Sequence, residues 1–174
     1  MRKLGTITLI ITAFLLVAAT VAVAANVHYK KSPPLTFTDQ GLTLNATGAL
    51  TGLGNGDIVI TLSAQGQPTA TCTNPSGKNQ PAGQNPAVVT LTGVQQIPSG
   101  SVINGNVAFN VSTGGPTTPV AGAPQCPGSN WTEDITDVVF SGFSSTITVY
   151  QGIGCSTTNF SACTQVFQSI QTVP

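Results

Sequence analysis

Positive charge is scarce in this sequence, and arginine is nearly missing from it. Charged residues make up 6% of the 174 residues. Arg2 and Lys3 stand at the amino terminus, and only Lys30, Lys31 and Lys78 follow. Proteins that bind DNA or RNA use clustered Lys and Arg to neutralise phosphates and release counterions. The composition therefore excludes nucleic acid as an expected partner.

Catalytic side chains are equally scarce. His28 is the only histidine and lies in a proline-flanked segment, so neither a Ser/His/Asp nor a Cys/His arrangement can be built on a rigid scaffold. The one carboxylate cluster is Glu133, Asp134 and Asp137. The alternation of a β-strand would place Glu133 and Asp137 on one face and Asp134 on the other. We therefore predict that the protein is not an enzyme and has no catalytic residue and no cofactor. A carboxylate-based hydrolase ranks third among the functions considered.

Residues 1–25 have the composition of an export signal. Arg2 and Lys3 precede an apolar run in which no charge appears before Val27. A cleaved signal peptide would leave a mature start near Asn26, whereas the length of the run also fits a single retained membrane anchor. A pilin-type leader cut at Gly5 is a further alternative. All three place the body outside the cytoplasm, secreted or at the cell surface, and membrane-anchored if the segment is uncleaved.

Four cysteines agree with this compartment, because an even count in an exported chain usually indicates disulfides. Four cysteines allow three pairings. We favour Cys155 with Cys163, since the residues between them form a compact closed loop, and this leaves Cys72 with Cys126. A metal site built on these thiols is disfavoured by the lack of a Cys-x-x-Cys spacing.

The body alternates apolar and polar residues with the period of β-strands. Leu42, Leu44 and Ala46 alternate with polar residues, and Ile58, Ile60, Leu62 and Ala64 do so after the Gly54-Asn55-Gly56-Asp57 segment. Asn-Gly between such runs predicts a hairpin. Further short strands are predicted around 69–73, 88–92, 107–111, 135–140, 147–150 and 166–173, and no segment has a helical pattern.

This pattern predicts an all-β fold, an antiparallel β-sandwich of immunoglobulin-like type, with a jelly roll or small barrel as alternative. Residues 26–34 contain two prolines and read as an extended tether that leads into the fold without joining the core. Residues 35–174 then form a single domain.

Two long polar loops, 74–86 and 113–130, suggest where a ligand could bind. Trp131 follows the second loop and Glu133, Asp134 and Asp137 come next. An exposed indole could bind a glycan, and the carboxylates with loop carbonyls could bind calcium. The competing interpretations are a Trp131 that packs into the fold and carboxylates that are simply solvated.

Three stretches carry a resemblance to known proteins: Gly52-Leu-Gly-Asn-Gly-Asp57, Cys72-Thr-Asn-Pro-Ser-Gly77 and Asn130-Trp-Thr-Glu-Asp-Ile-Thr-Asp137. They resemble small exported bacterial all-β proteins of unassigned function. The resemblance implies a fold and a compartment, and no substrate. We expect a non-catalytic structural or binding module of the envelope or extracellular space, in contact with an envelope protein or a glycan. A glycan- or calcium-binding module around Trp131 is the alternative.

Overall fold

The computed structural model describes residues 26–81, 86–120 and 126–174, so the predicted signal peptide or anchor at 1–25 lies outside the described residues. The described residues form ten β-strands and two short 3-10 turns, Ser99–Ser101 and Phe160–Ala162. The strands are β1 (His28–Tyr29), β2 (Thr36–Asp39), β3 (Leu44–Thr51), β4 (Asp57–Thr73), β5 (Asn79–Pro81), β6 (Val89–Ile97), β7 (Val107–Ser112), β8 (Thr132–Val139), β9 (Ser144–Gly152) and β10 (Thr164–Thr172).

The strands form two antiparallel sheets. In the first sheet, β3 lies at the centre, with β1 and β2 along one side and β7 along the other. In the second, the 17-residue strand β4 is flanked by β5 and β6 on one side and by β8 and β9 on the other, and β10 pairs with β9 at the edge. The prediction of an all-β sandwich is confirmed.

The core lies between the facing surfaces of the two sheets. Residues Leu50 and Phe109 of the first sheet pack with Ile58, Ile60 and Leu62 of the second in one buried cluster. These are the apolar positions that the alternation predicted. A fully buried Leu, Ile or Phe side chain stabilises a fold by about 1.5–3 kcal/mol relative to an exposed one, so this cluster is the main source of stability.

The predicted hairpin at 54–57 was wrong. β3 and β4 belong to different sheets, so the segment between them crosses from one sheet to the other. A type I′ hairpin turn needs positive φ at both central residues, and Asn55 and Gly56 lack it. Asn104 and Gly105 do have positive φ, at 51° and 72°, and they form a tight hairpin closed by backbone hydrogen bonds between Ile103 and Asn106.

The predicted tether at 26–34 joins the fold. β1 pairs with the end of β3, and the Lys30 N–H donates to the Ala49 carbonyl oxygen at 2.8 Å. Val27 is buried in the core cluster, and Tyr29 packs against the same cluster. The prediction that this segment stays out of the core was therefore wrong. Pro33 and Pro34 lie after β1, in the segment that connects it to β2, so they do not prevent β1 from pairing.

The predicted strands at 58–64 and 69–73 are one strand, although Gly66 and Pro68 lie between them. Proline donates no backbone hydrogen bond and is normally excluded from central strands. Pro68 is opposite Val138, whose N–H donates instead to the Gly41 carbonyl oxygen at 2.9 Å. On the other side of β4, the described pairing of β6 ends at Gly66 and that of β5 begins at Thr71. Pro68 therefore occupies a position that requires no donor.

Candidate functional site

The carboxyl-terminal half of β4 runs beyond β9 and pairs with β8 and β5, and we call residues 67–73 the β4 extension. Its inner face carries Pro68, Ala70 and Cys72, which are all buried. The predicted ligand-binding residues are in β8 or directly before it, next to this extension. The long connection 113–131, of which 121–125 are not described, leads into β8. The predicted ligand-binding site would therefore lie at this end of the molecule.

Both predicted disulfides are confirmed. Cys72 in the β4 extension bonds to Cys126, with a Cα–Cα distance of 5.6 Å and a sequence separation of 54. The bond attaches the long connection to the extension. Cys155 bonds to Cys163, with a Cα–Cα distance of 4.8 Å and a separation of 8. Cysteine pairs of this kind are typical of proteins in oxidising compartments.

The Cys155–Cys163 loop covers part of the outer face of the second sheet. Phe160 packs edge-on against Tyr150, with ring centroids 4.7 Å apart. Tyr150 is opposite Val59 in the ladder, and Val59 is fully buried although it points away from the main core. The loop also reaches β6, where the Gln96 side chain accepts from the Thr157 N–H at 3.5 Å. Phe160 and Tyr150 are therefore packing residues of a small second apolar layer.

The three predicted carboxylates divide between the two faces of β8, in a different way from the prediction. Glu133 is opposite Cys72, whereas Asp134 is opposite Thr71 and Asp137 is opposite Thr69. Directly opposed residues share a face, so Glu133 points inward while Asp134 and Asp137 share the outer face. The expectation that Glu133 and Asp137 share a face was wrong because a register irregularity in this stretch shifts the alternation by one residue.

Two of these carboxylates hold neighbouring segments in place. Glu133 Oε1 accepts a hydrogen bond from the Val120 N–H at 3.1 Å, which secures the long connection on the inner side. Asp134 Oδ2 accepts from the Thr73 hydroxyl at 2.8 Å across the ladder. Asp137 is exposed. Among the described residues, no group of three or more His, Cys, Asp or Glu side chains is placed to hold a metal ion.

Trp131 is half-buried and lies at a turn. The backbone N–H of Trp131 donates to the Gly128 carbonyl oxygen at 3.0 Å. The indole lies so close to Gly128 that a Cβ added there would be 3.1 Å from the ring. The indole therefore packs on the backbone of its own turn. An open cleft of about 370 Å³ lies between β6 and residues 116–120 and is lined by Val88, Val89, Thr90, Leu91, Pro116, Thr117, Pro119 and Val120. Trp131 and the carboxylates do not line it.

His28 is also engaged with the backbone. It is exposed, and its Nδ1 lies 2.8 Å from the Asn26 carbonyl oxygen. The structure thus places His28 in β1, on the first sheet, whereas Glu133, Asp134 and Asp137 lie on β8 of the second.

The titratable side chain with the clearest structural role is Asp57, which sequence reasoning left aside. Its Oδ1 accepts from the Ser99 N–H at 2.8 Å and its Oδ2 from the Gly154 N–H at 3.1 Å. The Ser99 bond is the main cause that holds the pKa of Asp57 below its ordinary value. Asp57 joins the start of β4 to the turns that follow β6 and β9. The Asn-Gly-Asp sequence signalled a turn, but the two acceptor bonds depend on the tertiary fold.

A second cleft, which the sequence did not indicate, lies between the edge strands β2 and β10. It has a volume of about 400 Å³ and is lined by Tyr29, Leu35, Thr36, Phe37, Gln171, Thr172 and Pro174. The Tyr29 hydroxyl is buried and has no hydrogen-bond partner of standard geometry among the described residues. Burial raises the pKa of Tyr29, and the nearby Ser169 hydroxyl partly offsets this effect. Tyr29 also packs edge-on against Phe167 of β10, at 5.0 Å.

The chain matches no protein-family model and no curated protein sequence. In the part of the chain that the structure describes, no helix is long and apolar enough to cross a membrane.

Proposed function

We propose that this protein is an exported, non-catalytic module of the cell envelope or extracellular space, with a structural or binding role. The observation that carries the proposal is the pair of disulfides. They fix the long connection 113–131 to β4 and close the loop after β9. Such bonds persist outside the reducing cytoplasm, and they support secretion after removal of a signal peptide at 1–25. We also propose that the sandwich is of immunoglobulin-like type.

The non-catalytic part of the proposal is supported by what the candidate acid–base groups contact. Glu133 holds the backbone of Val120, Asp134 binds the Thr73 hydroxyl, and His28 contacts the Asn26 carbonyl. A hydrolase that works with a pair of carboxylates needs both of them to face one substrate. Here Glu133 and Asp134 point to opposite faces of β8, which favours a structural role for both.

The export part of the proposal is tested on the native protein. Mass spectrometry of the native protein should find an amino terminus near Asn26 in the extracellular or envelope fraction. An intact Met1 in the membrane fraction would replace secretion by anchoring, and recovery from the cytoplasm with reduced cysteines would refute export altogether.

The catalytic question is tested with glycosidase, esterase and peptidase substrates on the purified protein. We expect no turnover from the parent protein or from Glu133→Gln and Asp134→Asn variants. Turnover that disappears in either variant would establish the carboxylate hydrolase instead. A glycan array with and without calcium, read against Trp131→Ala, tests the glycan- or calcium-binding alternative. Calcium-dependent retention lost in that variant would favour it.

A further inference from the structure

Strand β10 forms one edge of the second sheet, and its residues 167–172 carry none of the usual protections of an edge. Its sequence, Thr164-Gln-Val-Phe-Gln-Ser-Ile-Gln-Thr172, contains no charged residue, no proline and no glycine. Natural edge strands are commonly protected from pairing by Lys, Pro or a bulge. The one irregularity in β10 lies between Gln165 and Phe167, and residues 167–172 continue in regular register with β9.

The open side of β10 presents unpaired backbone groups. Val173 donates to the Phe143 carbonyl oxygen and accepts from the Gly142 N–H, both at 2.9 Å on the β9 side. Alternate residues of a strand direct their N–H and C=O groups to opposite sides. Those of Gln168, Ile170 and Thr172 therefore point away from β9, and no described residue bonds to them.

The opposite edge of the same sheet is covered. Gln95 of β6 accepts through Oε1 from the Asn110 N–H of β7 at 2.9 Å. The Gly114 N–H donates to the Thr92 carbonyl oxygen at 2.8 Å. The sandwich is thus closed between β6 and β7, whereas the cleft lined by Tyr29, Leu35 and Phe37 leaves it open between β2 and β10.

We propose that β10 pairs with β10 of a second copy of this chain, antiparallel and about a two-fold axis through Ile170. This register places Ile170 opposite its own copy, and Gln168 opposite Thr172 of the second copy. The three residues with free backbone groups then bond only to one another, so every free N–H and C=O between 168 and 172 gains a partner.

The side chains in this register match as well. Ile170 is 68% exposed and would pack on Ile170 of the second copy. Gln168 and Thr172 can exchange side-chain hydrogen bonds, and so can Ser169 and Gln171. A charge on the axis would face its own copy, and β10 has no charged residue at the axis or beside it. A foreign strand could also satisfy the backbone, and the match of β10 with its own copy at each position is the reason to infer a second copy of this chain.

The axis stands perpendicular to the sheet, since opposed side chains of a ladder share a face. Both first sheets then lie on the same side, with the edges of β2 next to each other. The second copy would cover the partly exposed Leu35 and Phe37 at the mouth of the cleft. This inference does not require export or any ligand.

Engineered cysteines test the register. In a hydrogen-bonded antiparallel pair the Cα atoms are about 5.5 Å apart, within the range that a disulfide spans. Ile170→Cys should therefore form a covalent dimer under mild oxidation, identified by peptide mapping. Gln168→Cys is the matched control, because the Cα atoms of the two copies of residue 168 would be about 14 Å apart. Equal cross-linking of both variants, or of neither, would overturn the proposal.

Sedimentation of the protein as its cells produce it tests association itself. The parent should approach twice the monomer mass as concentration rises, and Ile170→Lys should remain monomeric. Val94→Lys is the control, since Val94 is 52% exposed on the outer face of the same sheet and lies in β6. Circular dichroism checks that both variants are folded. A parent that stays monomeric at every concentration, or equal loss of dimer in both lysine variants, would refute the pairing.

Discussion

The side-chain amide of Gln151 makes two hydrogen bonds to the backbone of Gly54. Its Nε2 donates to the Gly54 carbonyl oxygen at 2.8 Å, and its Oε1 accepts from the Gly54 N–H at 2.9 Å. The same Nε2 lies 3.3 Å from the Gly56 carbonyl oxygen. Gln151 is buried in β9, and its amide supplies the partners that the crossing from β3 to β4 would find in a neighbouring strand if it were a hairpin.

Replacing this side chain should destabilise the fold. Gln151→Ala leaves a donor and two acceptors of the crossing without partners, and we expect the free energy of unfolding to fall by about 2–4 kcal/mol. Urea denaturation measures the change. Gln165→Ala is the control, because that amide is exposed and makes only a 3.4 Å contact with Gln168. The control should stay within about 0.5 kcal/mol of the parent. Equal loss of stability in the two variants would show that the Gln151 amide does not stabilise the crossing from β3 to β4.

The two disulfides should contribute unequally. Loop-entropy arguments give about 4 kcal/mol for the separation of 54 residues and about 2.5 kcal/mol for the separation of 8. The double variant Cys72→Ala with Cys126→Ala should therefore unfold at lower denaturant than Cys155→Ala with Cys163→Ala. Each serves as the control for the other. The reverse order would mean that the packing of Phe160 on Tyr150 outweighs loop closure.

Asp57 predicts a pH dependence. Its pKa is lowered in the folded state, so the carboxylate stabilises the fold at pH values above its unfolded pKa of about 3.9. This contribution is lost as the pH falls through the folded pKa. Asp57→Asn should therefore be less stable than the parent at neutral pH, and the difference should shrink in acid.

Thermal unfolding across pH measures this difference, and NMR titration of the Asp57 carboxyl carbon measures the pKa itself. Asp137→Asn is the control, since no described residue donates a hydrogen bond to that exposed side chain. A difference between parent and Asp57→Asn that does not change between neutral and acidic pH would contradict the assignment.

Gly93 is required where β7 passes close to β6. A Cβ at Gly93 would overlap the carbonyl oxygen of Ser112, and the backbone on both sides cannot move without breaking the ladder. Gly93→Ala should lower the free energy of unfolding by about 3 kcal/mol, at the upper end of overpacking effects. Gly100→Ala is the control, because a Cβ there meets nothing within 4 Å. Similar melting temperatures for both variants would show that β6 and β7 can move apart enough to accept a Cβ at Gly93.

The alternation of apolar residues predicted most of the inward-facing side chains, but not which strands pair. Leu42 is the exception: the alternation placed it on the buried face, yet it is 39% exposed because β3 begins only at Leu44. Ile58, Ile60 and Leu62 point inward as expected, because period two depends only on the local backbone. Whether Gly54 to Gly56 turns within a sheet or crosses between sheets depends on Gln151, which lies 95 or more residues away. Local patterns contain no information about such a partner.

Predictions about the candidate site were also confirmed in part and wrong in part. The disulfide partners could be predicted, since a short closed loop between Cys155 and Cys163 left one pair. The faces of Glu133, Asp134 and Asp137 could not, because a single register shift reverses the alternation and has no signature in the sequence. Val27 and Tyr29 were missed because the prolines after them suggested a tether.

Strand β4 pairs with four other strands, β5, β6, β8 and β9. Strand β10 depends on it indirectly, because β10 pairs with β9. Removal of β4 therefore leaves no pair of neighbours in the second sheet except β9 with β10. The sheet can open only as a whole, and the amide protons of β4 should exchange with solvent through global unfolding rather than through local fraying. One strand thus sets the cooperativity of the molecule.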